Sequence, residues 1–593
     1  MAVLHWVAAF VLFGAFFLAL PVLWDTDSYY HLAVARLYAF GGPAASVPWA
    51  RFSLIGSGAD KEWLFHLLLL PFAAIGDPAV GGRIALAVLN ATLATIVALI
   101  AARALGNAGF AVPLWLWISA PLFFARVVRL RPELLALTIL LLAAIVAAER
   151  RYIGFGLLAF AFTIGYTAFH VFAAMAVLWF AWSFYRTRQA ETGLLIAPLA
   201  GVAAGLVLRP HPVANLKLWY VQNVVFFANM QWLDVGNEIA PPNLIRAVSV
   251  SALWIIALVA FIAIARRSRS SEVSDARAKS NLAYLTIAAA VFVVLFFRFG
   301  RMALYAFPLT SLAVVIAFGR RIRPRVAATI FGAATILALP IAFGTDKLQF
   351  IRSGTRDVSE LDWNAFGRAV PRDAKIAARW SDADAYVFFA PQGRYLNVLD
   401  PTFMAVPYPR RYTAQRRLFE GTDPDLPRTA ARVLDSDYIA LDWTLASGEL
   451  VHRLRSDPRL EVVYGGYNAL FRVRPPKGVR FVTDWQPLAQ GADPLAGYVD
   501  ATVIAQRDCA TLTHVEVIDH PERRVYEFTP WGRSALAIDG TVRASIPDSR
   551  RALLGFGSRV EVAFSAGSHH FDVRTCHDHG SAGFFLVDRT PGH

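Results

Sequence analysis

Charged residues are scarce in this sequence. Of its 593 residues only 17% are Asp, Glu, Lys or Arg, whereas 56% are hydrophobic, and the mean hydropathy is +0.47. Soluble domains carry about 25% charged residues, so the composition predicts a polytopic α-helical membrane protein. The scarcity is uneven, because long apolar runs fill residues 4–343 while the chain from residue 346 onward has the composition of a globular protein.

Cysteine is almost absent. The chain has two, Cys509 and Cys576, both in the polar C-terminal part, so at most one disulfide can form within it. If this part lies outside the cytoplasm, the two cysteines are expected to pair; two unrelated buried thiols are the alternative.

A basic n-region and a small-residue cleavage site are missing before Asp25, so the first apolar segment is expected to be retained. The net charge is +14, which in a soluble protein would raise nucleic acid as a partner. Here much of that charge lies in short loops between apolar runs, where membrane topology explains it. We therefore expect the membrane, and no nucleic acid, as a partner.

The apolar runs predict about eleven transmembrane helices, because a crossing needs about 20 apolar residues, or somewhat fewer with tilt or thinning. Segment 62–76 is short and is interpreted as an interfacial or re-entrant helix. The predicted spans are 4–23, 82–104, 108–127, 133–148, 152–166, 168–185, 191–208, 245–265, 281–298, 301–319 and 324–343.

Parity supports this topology. Eleven spans with the N-terminus inside place the arginine clusters at Arg150, Arg186, Arg266 and Arg320 on the cytoplasmic side, as the positive-inside rule requires. Counting 62–76 as another span would put most of them outside. The same parity places the C-terminal part on the outer face.

A run of reactive side chains, Asp25-Thr26-Asp27-Ser28-Tyr29-Tyr30-His31, follows the first span directly. Residues two apart in an extended segment point the same way, so Asp25 and Asp27 are predicted to face one ion or one sugar. Paired carboxylates suit Mg²⁺ or Mn²⁺, or general-base work on an acceptor hydroxyl or amide. The alternative is that they only mark the end of a span.

A second polar group precedes the fourth predicted span. Arginines on the outer face run against the positive-inside bias, so Arg129 and Arg131 are predicted to bind phosphate, whose oxygens match the guanidinium fork. Glu133, two residues beyond Arg131, is predicted to be a second acidic group, catalytic or metal-binding together with Asp27. A solvated ion-pair cluster is the alternative.

Arg298 and Arg301 lie between two predicted spans on the same outer face. Arginines at a membrane boundary are functional candidates, and these two are predicted to bind the phosphate of a donor; snorkelling is the alternative. Other polar residues are predicted to contact substrate, with an ordinary structural or loop role as the alternative. They are Tyr29, Tyr30, His31, Lys61, Glu62, His66, His170, His211 and Glu238.

Beyond residue 345 the sequence predicts an α/β subdomain over 346–478 and a β-sandwich over 479–593. Short alternating runs separated by turn residues, such as 560–564, are typical of sandwich strands. Cys509 and Cys576 lie near the start and the end of the sandwich and would staple it. Such sandwiches often bind carbohydrate, but a structural lid is an equal alternative, because a fold does not define a function.

The run from Asp27 to His31 is similar to the Asp-Pro-Tyr-Tyr-His type signature in the catalytic subunit of oligosaccharyltransferases. With an acidic residue before the fourth span and an outer C-terminal domain, the layout of about residues 1–345 resembles the GT-C membrane glycosyltransferases. The resemblance implies a GT-C-like transmembrane domain, with Asp27 catalytic and metal-associated and Asp25 beside it. It also implies Glu133 as the second acidic position and Arg301 or Arg298 as the arginine that contacts a lipid phosphate.

The implied reaction transfers a sugar or oligosaccharide from a polyprenyl-phosphate or diphosphate donor to a lipid, glycan or protein acceptor. It would occur at the outer face of a bacterial inner membrane, with the C-terminal domain in the periplasm. Mg²⁺ or Mn²⁺ is the implied cofactor, although related transferases with this layout differ on metal dependence. The lipid A aminoarabinose and protein mannosyl transferases share the layout as well.

The resemblance is incomplete at the acceptor side. Residues 378–384 fall where oligosaccharyltransferases carry Trp-Trp-Asp-Tyr-Gly, but the second tryptophan, the tyrosine and the glycine are absent. A transporter or flippase of a lipid-linked glycan is a rival interpretation, which predicts midplane polar residues and internal repeats. Few midplane charges and no clear repeat are visible, which favours the enzyme. A non-catalytic envelope scaffold that binds glycans is a third interpretation.

Overall fold

The computed structural model describes residues 1–20, 22–229, 233, 240–268, 276–344, 360–488, 493–506, 508–547, 554–577 and 582–591. The chain forms two compact units. The first comprises residues 1–360 with 398–403, and the second comprises residues 361–397 with 404–593. The predicted boundary at 345 adjoins residues 345–359, which lie outside the described part of the chain.

The first unit is built from helices, which account for the apolar runs in its sequence. Their bounds are α1 (Ala2–Leu18), α2 (Thr26–Gly41), α3 (Trp63–Ala73), α4 (Pro78–Leu105), α5 (Val112–Ser119), α6 (Pro121–Val127), α7 (Glu133–Ala148), α8 (Tyr152–Gly165), α9 (Phe169–Thr187), α10 (Gly193–Leu208), α11 (Pro212–Tyr220), α12 (Phe226–Asn229), α13 (Leu244–Val250), α14 (Ala252–Arg267), α15 (Ala276–Arg298), α16 (Ala303–Phe318) and α17 (Pro324–Gly344).

Local signals set the helix ends near the candidate site. Asp25 caps α2, since its carboxylate accepts a 3.2 Å hydrogen bond from the backbone N–H of Ser28, and Gly42 ends the helix with a φ of 84°. Asp77 caps α4 in the same way, with Pro78 at the first helical position. Capping satisfies backbone donors that have no partner within the helix. Asp25 and Asp77 therefore have the same structural role, as side chains that cap the N-terminus of a helix.

The predicted number of crossings is not confirmed. Among the described residues, Pro78–Ser119 and Gly300–Arg321 are long and apolar enough to cross a bilayer. Two bent pairs, Gly193–Leu208 with Pro212–Ala228 and Leu244–Val250 with Ala252–Arg267, bring the number to four if each pair is one span. Six further apolar helical stretches, among them Ala2–Leu18 and Glu133–Ala148, have 10–17 residues.

The second unit begins with an α/β part. Its five-stranded sheet has the order β2-β1-β3-β5-β4, with β1 parallel to β2 and β3, and β5 antiparallel to β3 and β4. The strands are β1 (Lys375–Ala377), β2 (Arg394–Tyr395), β3 (Tyr438–Asp442), β4 (Leu460–Tyr464) and β5 (Asn468–Val473). The helices from residue 360 onward are α18 (Glu360–Ala369), α19 (Trp380–Phe389), α20 (Thr402–Ala405), α21 (Pro409–Phe419), α22 (Leu426–Arg428), α23 (Gly448–Ser456) and α24 (Thr502–Ala505).

The rest of the second unit consists of two antiparallel sheets with the orders β11-β10-β13-β8 and β12-β9-β14-β6, and β7 pairs with β14. Phe528 and Phe584 of one sheet and Leu536 and Val573 of the other belong to one buried apolar core, so the sheets pack as a sandwich. The strands are β6 (Arg480–Phe481), β7 (Tyr498–Asp500), β8 (Cys509–Ile518), β9 (Glu522–Trp531), β10 (Ser534–Ile538), β11 (Thr541–Ile546), β12 (Ser558–Phe564), β13 (Gly567–Cys576) and β14 (Gly583–Asp588).

The predicted disulfide between Cys509 and Cys576 is confirmed. The two cysteines are directly opposed in the register of β8 and β13, so the bond joins neighbouring strands of one sheet. It closes a chain segment with a sequence separation of 67 residues. A cross-link of this kind limits the conformations open to the unfolded chain.

Removing this cross-link should destabilise the sandwich. We expect the Cys509→Ala/Cys576→Ala double variant to lower the free energy of unfolding of the second unit by about 2–4 kcal/mol. Limited proteolysis of the full-length protein during a temperature ramp measures the change. The wild type treated with a reductant should behave like the double variant, and the reductant should leave the double variant unchanged.

Two carboxyls in the stretch aligned with the oligosaccharyltransferase motif are buried in α19. Asp382 is 5% exposed and Asp384 is fully buried. Burial raises the pKa of Asp382 to about 7, against the opposing charge of Arg379. These side chains therefore belong to the interior of the α/β part, and the folded state holds a proton on Asp382 that the unfolded chain releases near pH 4.

This proton makes stability depend on pH. Because the folded pKa lies above the ordinary value of 3.8, the unfolding free energy of the second unit should fall as pH rises from about 4 to about 7, by up to about 4 kcal/mol. Proteolysis-monitored melting of the full-length protein across this range measures the slope. Asp382→Asn should flatten it, and an unchanged slope in that variant would contradict the assignment.

Candidate active site

The start of α2 and the loop at residues 128–132 form the first polar cluster, the carboxylate–arginine cluster, made of Asp25, Asp27, Arg129 and Arg131. The hydroxyl of Ser28 donates to Asp25 and accepts a 3.1 Å hydrogen bond from the backbone N–H of Leu130. This serine therefore ties the loop to the first turn of α2. The connection is between residues 102 positions apart in sequence.

Arg131 contacts both carboxylates of this cluster. Its Nε lies 2.5 Å from Asp25 Oδ2, and one terminal nitrogen lies 3.0 Å from Asp27 Oδ2. Arg129 Nε lies 3.9 Å from the same Asp25 oxygen. A guanidinium fork can hold two carboxylates at once because its donors are planar and fixed. Asp25 and Asp27 therefore face one guanidinium group, and the prediction that they face one ion or one sugar stays a prediction.

The predicted backbone around these aspartates is wrong in one respect. Asp25 is extended, but the helix begins at Thr26, so Asp27 lies in its first turn. The two carboxylates converge because a helix cap and a first-turn residue both project toward the N-terminal end of the helix, where negative charge is also favoured by the helix dipole. The sequence contained a signal for this helix start, because aspartate is a favoured N-cap residue. The cap accepts from the backbone N–H of Ser28, three residues further along.

A buried histidine pair forms the second polar cluster, the histidine–carboxylate cluster, made of His31, Asp60, Glu62 and His66. His31 Nδ1 and His66 Nε2 lie 2.9 Å apart. His66 Nδ1 lies 2.7 Å from Asp60 Oδ2, which also accepts a 2.7 Å hydrogen bond from the hydroxyl of Tyr38. The pairing brings the middle of α2 against the first turn of α3.

Burial and charge set the protonation of this cluster. Burial lowers the pKa of His31, and the charges of His66, Lys61 and Arg131 lower it further. Burial raises the pKa of Glu62 against the opposing charge of Lys61. Burial alone would raise the pKa of Asp60, but His66, through its charge and hydrogen bond, lowers it below its ordinary value.

The two clusters are neighbours within the first unit. Arg131 is close enough to act on the charge of His31, and Glu133 acts on Glu62. Glu133 itself lies 3.4 Å from a terminal nitrogen of Arg126. The charges of the two clusters therefore interact.

A further ion pair anchors the first turn of α2. Tyr29 donates a 2.9 Å hydrogen bond to Glu360 and accepts a 3.0 Å hydrogen bond from the backbone N–H of Leu23. Arg83 contacts the same Glu360 oxygen at 2.6 Å. Glu360 and the backbone of Leu23 are therefore structural partners of Tyr29. Tyr29 and Tyr30 are both buried. The predicted substrate contact of either phenol stays a prediction.

Arg298 and Arg301 lie where α15 ends and α16 is about to begin. Arg298 ends α15 and lies 5.0 Å from the centre of the Phe299 ring. Arg301 lies in a single turn of 3₁₀ helix before α16, and its Nε is buried without a hydrogen-bond partner among the described residues. An unpaired buried guanidinium nitrogen is a place where an anion would be bound. The phosphate-binding role of both arginines stays a prediction.

The other predicted site residues have individual surroundings. Lys61 lies 3.4 Å from Glu62 and 3.5 Å from the side-chain oxygen of Gln222. His170 accepts a 3.1 Å hydrogen bond from the indole of Trp219, and His211 lies 3.4 Å from the backbone carbonyl of Ala44. Their proposed roles are untested by these contacts. Glu238 lies outside the described residues.

Sequence reasoning missed several residues that shape the site, namely Tyr38, Asp60, Arg83 and Glu360. Asp60 had a signal, because it directly precedes Lys61 and Glu62. Arg83 had one too, because an arginine at the start of an apolar run is a functional candidate. Glu360 had none, since its partner Arg83 is 277 positions away.

No protein-family model and no curated protein sequence matches the chain. Two solved structures of ArnT from Cupriavidus metallidurans, one bound to undecaprenyl phosphate and one in the apo state, resemble it with TM-scores of 0.50. Their identities are 11% and 13%, and the matches cover 79% of this chain and 97% and 98% of ArnT. Arabinosyltransferase EmbB from Mycobacterium smegmatis matches with a TM-score of 0.35 and 15% identity, over 98% of this chain and 64% of EmbB, which is too low to define a shared fold.

These likenesses concern the fold. The chain has a helical N-terminal part and a β-rich C-terminal part, and its likeness to the two ArnT structures is a likeness of fold alone. The more particular resemblance to oligosaccharyltransferases is not confirmed. Because a fold carries many functions, the activity has to be argued from the two clusters described above.

The shared arginine should couple its two carboxylates energetically. We expect Arg131→Gln to lower the free energy of unfolding by about 1–3 kcal/mol, below the value for a fully buried pair, since the three side chains are 13–20% exposed. Combined with Asp25→Asn, the loss should be smaller than the sum of the single losses by about 1 kcal/mol.

Thermal melting of the detergent-solubilised protein measures this cycle. Arg151→Gln is the matched control. Arg151 likewise pairs with a carboxylate, that of Glu149, but its side chain is 68% exposed. Its effect should stay below about 0.5 kcal/mol. Strict additivity of Arg131→Gln and Asp25→Asn would show that the contact does not couple the two residues.

Proposed function

We propose that this protein is a membrane glycosyltransferase that moves a sugar or oligosaccharide from a polyprenyl-phosphate or diphosphate donor to a lipid, glycan or protein acceptor. One observation carries the proposal: Asp25 and Asp27 converge on Arg131 at the start of α2, in a chain whose fold is similar to that of ArnT. The solved ArnT complex holds undecaprenyl phosphate, which supports a polyprenyl-linked lipid as the partner.

The chemistry follows from the charges of the cluster. An acceptor oxygen attacks the anomeric carbon of the sugar as the bond to the donor phosphate breaks, and the phosphate leaves with the bonding electron pair. Asp27 accepts the proton of the acceptor as a general base, with Asp25 beside it. Arg129, Arg298 and Arg301 stabilise the leaving phosphate, and Arg131 is shared between the aspartates and that phosphate.

Mg²⁺ or Mn²⁺ is the cofactor that the GT-C resemblance implies for Asp27 and Glu133. In this structure each of these carboxylates faces an arginine, Arg131 for Asp27 and Arg126 for Glu133. The guanidinium groups supply the positive charge that a divalent ion would bring, so the arrangement does not fit an ion between the two carboxylates. The proposed reaction therefore has no step through a metal at Asp27.

The proposed location is the outer face of a bacterial inner membrane, with the second unit in the periplasm. The disulfide between Cys509 and Cys576 supports this orientation, because disulfides form and persist in oxidising compartments. The apolar helices of the first unit support a multi-pass membrane protein.

The test uses conservative carboxylate variants in a strain that lacks the chromosomal gene. Mass spectrometry of envelope lipids and glycans first identifies a glycosylated product that disappears with the gene. Wild-type protein should restore it, and Asp27→Asn should reduce it by about 100-fold or more, since the amide cannot accept the proton. Asp77→Asn is the control variant, because Asp77 caps a helix as Asp25 does and Asn caps equally well, so it should restore the product as the wild type does.

The outcomes separate the rival functions. Full restoration by Asp27→Asn would overturn the site assignment. A lipid-linked glycan that is made normally but held in the inner leaflet of the deletion strain, so that the outer-face product is missing, would identify a flippase. An unchanged glycan and lipid profile in the deletion strain would favour a scaffold without catalytic activity.

A further inference from the structure

Within the histidine–carboxylate cluster, three potential metal ligands converge in the interior of the first unit. His31, Glu62 and His66 each offer one ligand atom, and these atoms all lie within 4.8 Å of one another. The side chains are buried, with exposed fractions of 2%, 4% and 0%. Among the described residues this is the one group of three or more histidine, cysteine or carboxylate side chains whose ligand atoms converge in this way.

Chain geometry explains how the three ligands meet. Glu62 directly precedes α3 and His66 lies in the first turn of that helix, with a 3.1 Å backbone hydrogen bond from the His66 N–H to the Glu62 carbonyl. Residues four apart in a helical turn project from the same face. His31 reaches this face from α2, with its Nδ1 2.9 Å from His66 Nε2 and 3.9 Å from Glu62 Oε2.

One carboxylate oxygen of Glu62 has no hydrogen-bond partner in the described part of the chain. Its Oε1 faces Lys61 at 3.4 Å, while its Oε2 is buried without a hydrogen-bond partner among the described residues. Burying a carboxylate oxygen unpaired is costly. The orphan oxygen points toward the two imidazoles and is therefore an independent sign that the cluster holds a ligand.

Asp60 orients one of the imidazoles for this role. It accepts from His66 Nδ1 at 2.7 Å, and its remaining acceptor capacity is used by Tyr38 and by the backbone N–H of Glu62. With the proton assigned to Nδ1, the lone pair of His66 Nε2 faces His31. A carboxylate behind a ligating histidine is a recurrent arrangement in zinc sites, where it fixes the tautomer and ring orientation.

We propose that His31 Nδ1, His66 Nε2 and Glu62 Oε2 bind a divalent transition-metal ion of the Zn²⁺ class. Two imidazoles and one carboxylate suit Zn²⁺ rather than Mg²⁺, which prefers oxygen ligands. Ligands about 2.0–2.1 Å from a tetrahedral ion lie about 3.3 Å apart, between the two separations seen here. On binding, the Nδ1 proton of neutral His31 transfers to its own Nε2 by exchange with solvent, so both imidazoles ligate as neutral rings and no net proton is released.

The site is distinct from the catalytic group proposed above, because it uses none of Asp25, Asp27 or Arg131. Its ligands come from α2 and from the start of α3, so the ion would clamp these two helices together. The N-terminus of α2 carries the proposed catalytic carboxylates, which the clamp would hold in place without touching the substrate. The alternative is a metal-free network in which one imidazole donates a hydrogen bond to the other. The positive charge of the nearby Lys61 repels a metal cation and therefore favours this alternative.

Metal content distinguishes the two possibilities. The full-length protein is purified in detergent, stripped with a chelator, dialysed against Zn²⁺ and analysed by elemental mass spectrometry. We expect about one Zn²⁺ per chain in the wild type and in two controls, His170→Gln and Asp27→Asn. His66→Gln and Glu62→Gln should each lose the bound ion, and Asp60→Asn should weaken its affinity by about 10–100-fold.

Two further readouts guard against variants that simply misfold. Zn²⁺ should raise the melting temperature of the stripped wild type, as any ligand of the folded state does, and leave that of Glu62→Gln unchanged. Co²⁺ should give visible absorption bands of a tetrahedral site in the wild type and not in Glu62→Gln. A wild type that binds no ion, or variants that keep it, would overturn the proposal, while sugar transfer by Asp27→Asn leaves it unaffected.

Discussion

The contact of Arg131 with Asp25 and Asp27 is the interaction on which the arrangement of the first unit depends. Two carboxylates beside an apolar helix repel each other and lose hydration, which a single shared guanidinium offsets. Because Arg131 lies in the loop before α7, the contact connects two distant parts of the chain. Ser28 reinforces it through the backbone of Leu130.

Helix α2 carries the consequences of this contact along its length. Its first turn presents the aspartates, Tyr29 reaches the ion pair of Arg83 and Glu360, and His31 enters the histidine–carboxylate cluster. A change of register in this helix would therefore disturb the proposed catalytic and metal sites together. Polar groups that are buried in one connected region have to be satisfied together, which explains why Ser28, Tyr29, His31 and Tyr38 of this helix each have a polar partner.

The second unit is stabilised in a different way. Its mixed sheet and its sandwich are held by apolar cores and ladders of backbone hydrogen bonds, and its disulfide links strands that are already paired. The buried carboxyl of Asp382 shows that the acidic residues of the degenerate motif belong to this interior. The likeness to ArnT at 11–13% identity fits a fold that depends on the apolar pattern of helices and strands rather than on particular side chains.

The sequence by itself determined the membrane-type composition, the α/β and sandwich parts and the cysteine pair, because these follow from local composition and spacing. Only the tertiary structure decided which charges pair. Glu360 meets Arg83 across 277 positions and His31 meets His66 across 35, and such contacts arise from helix packing, which local patterns do not encode.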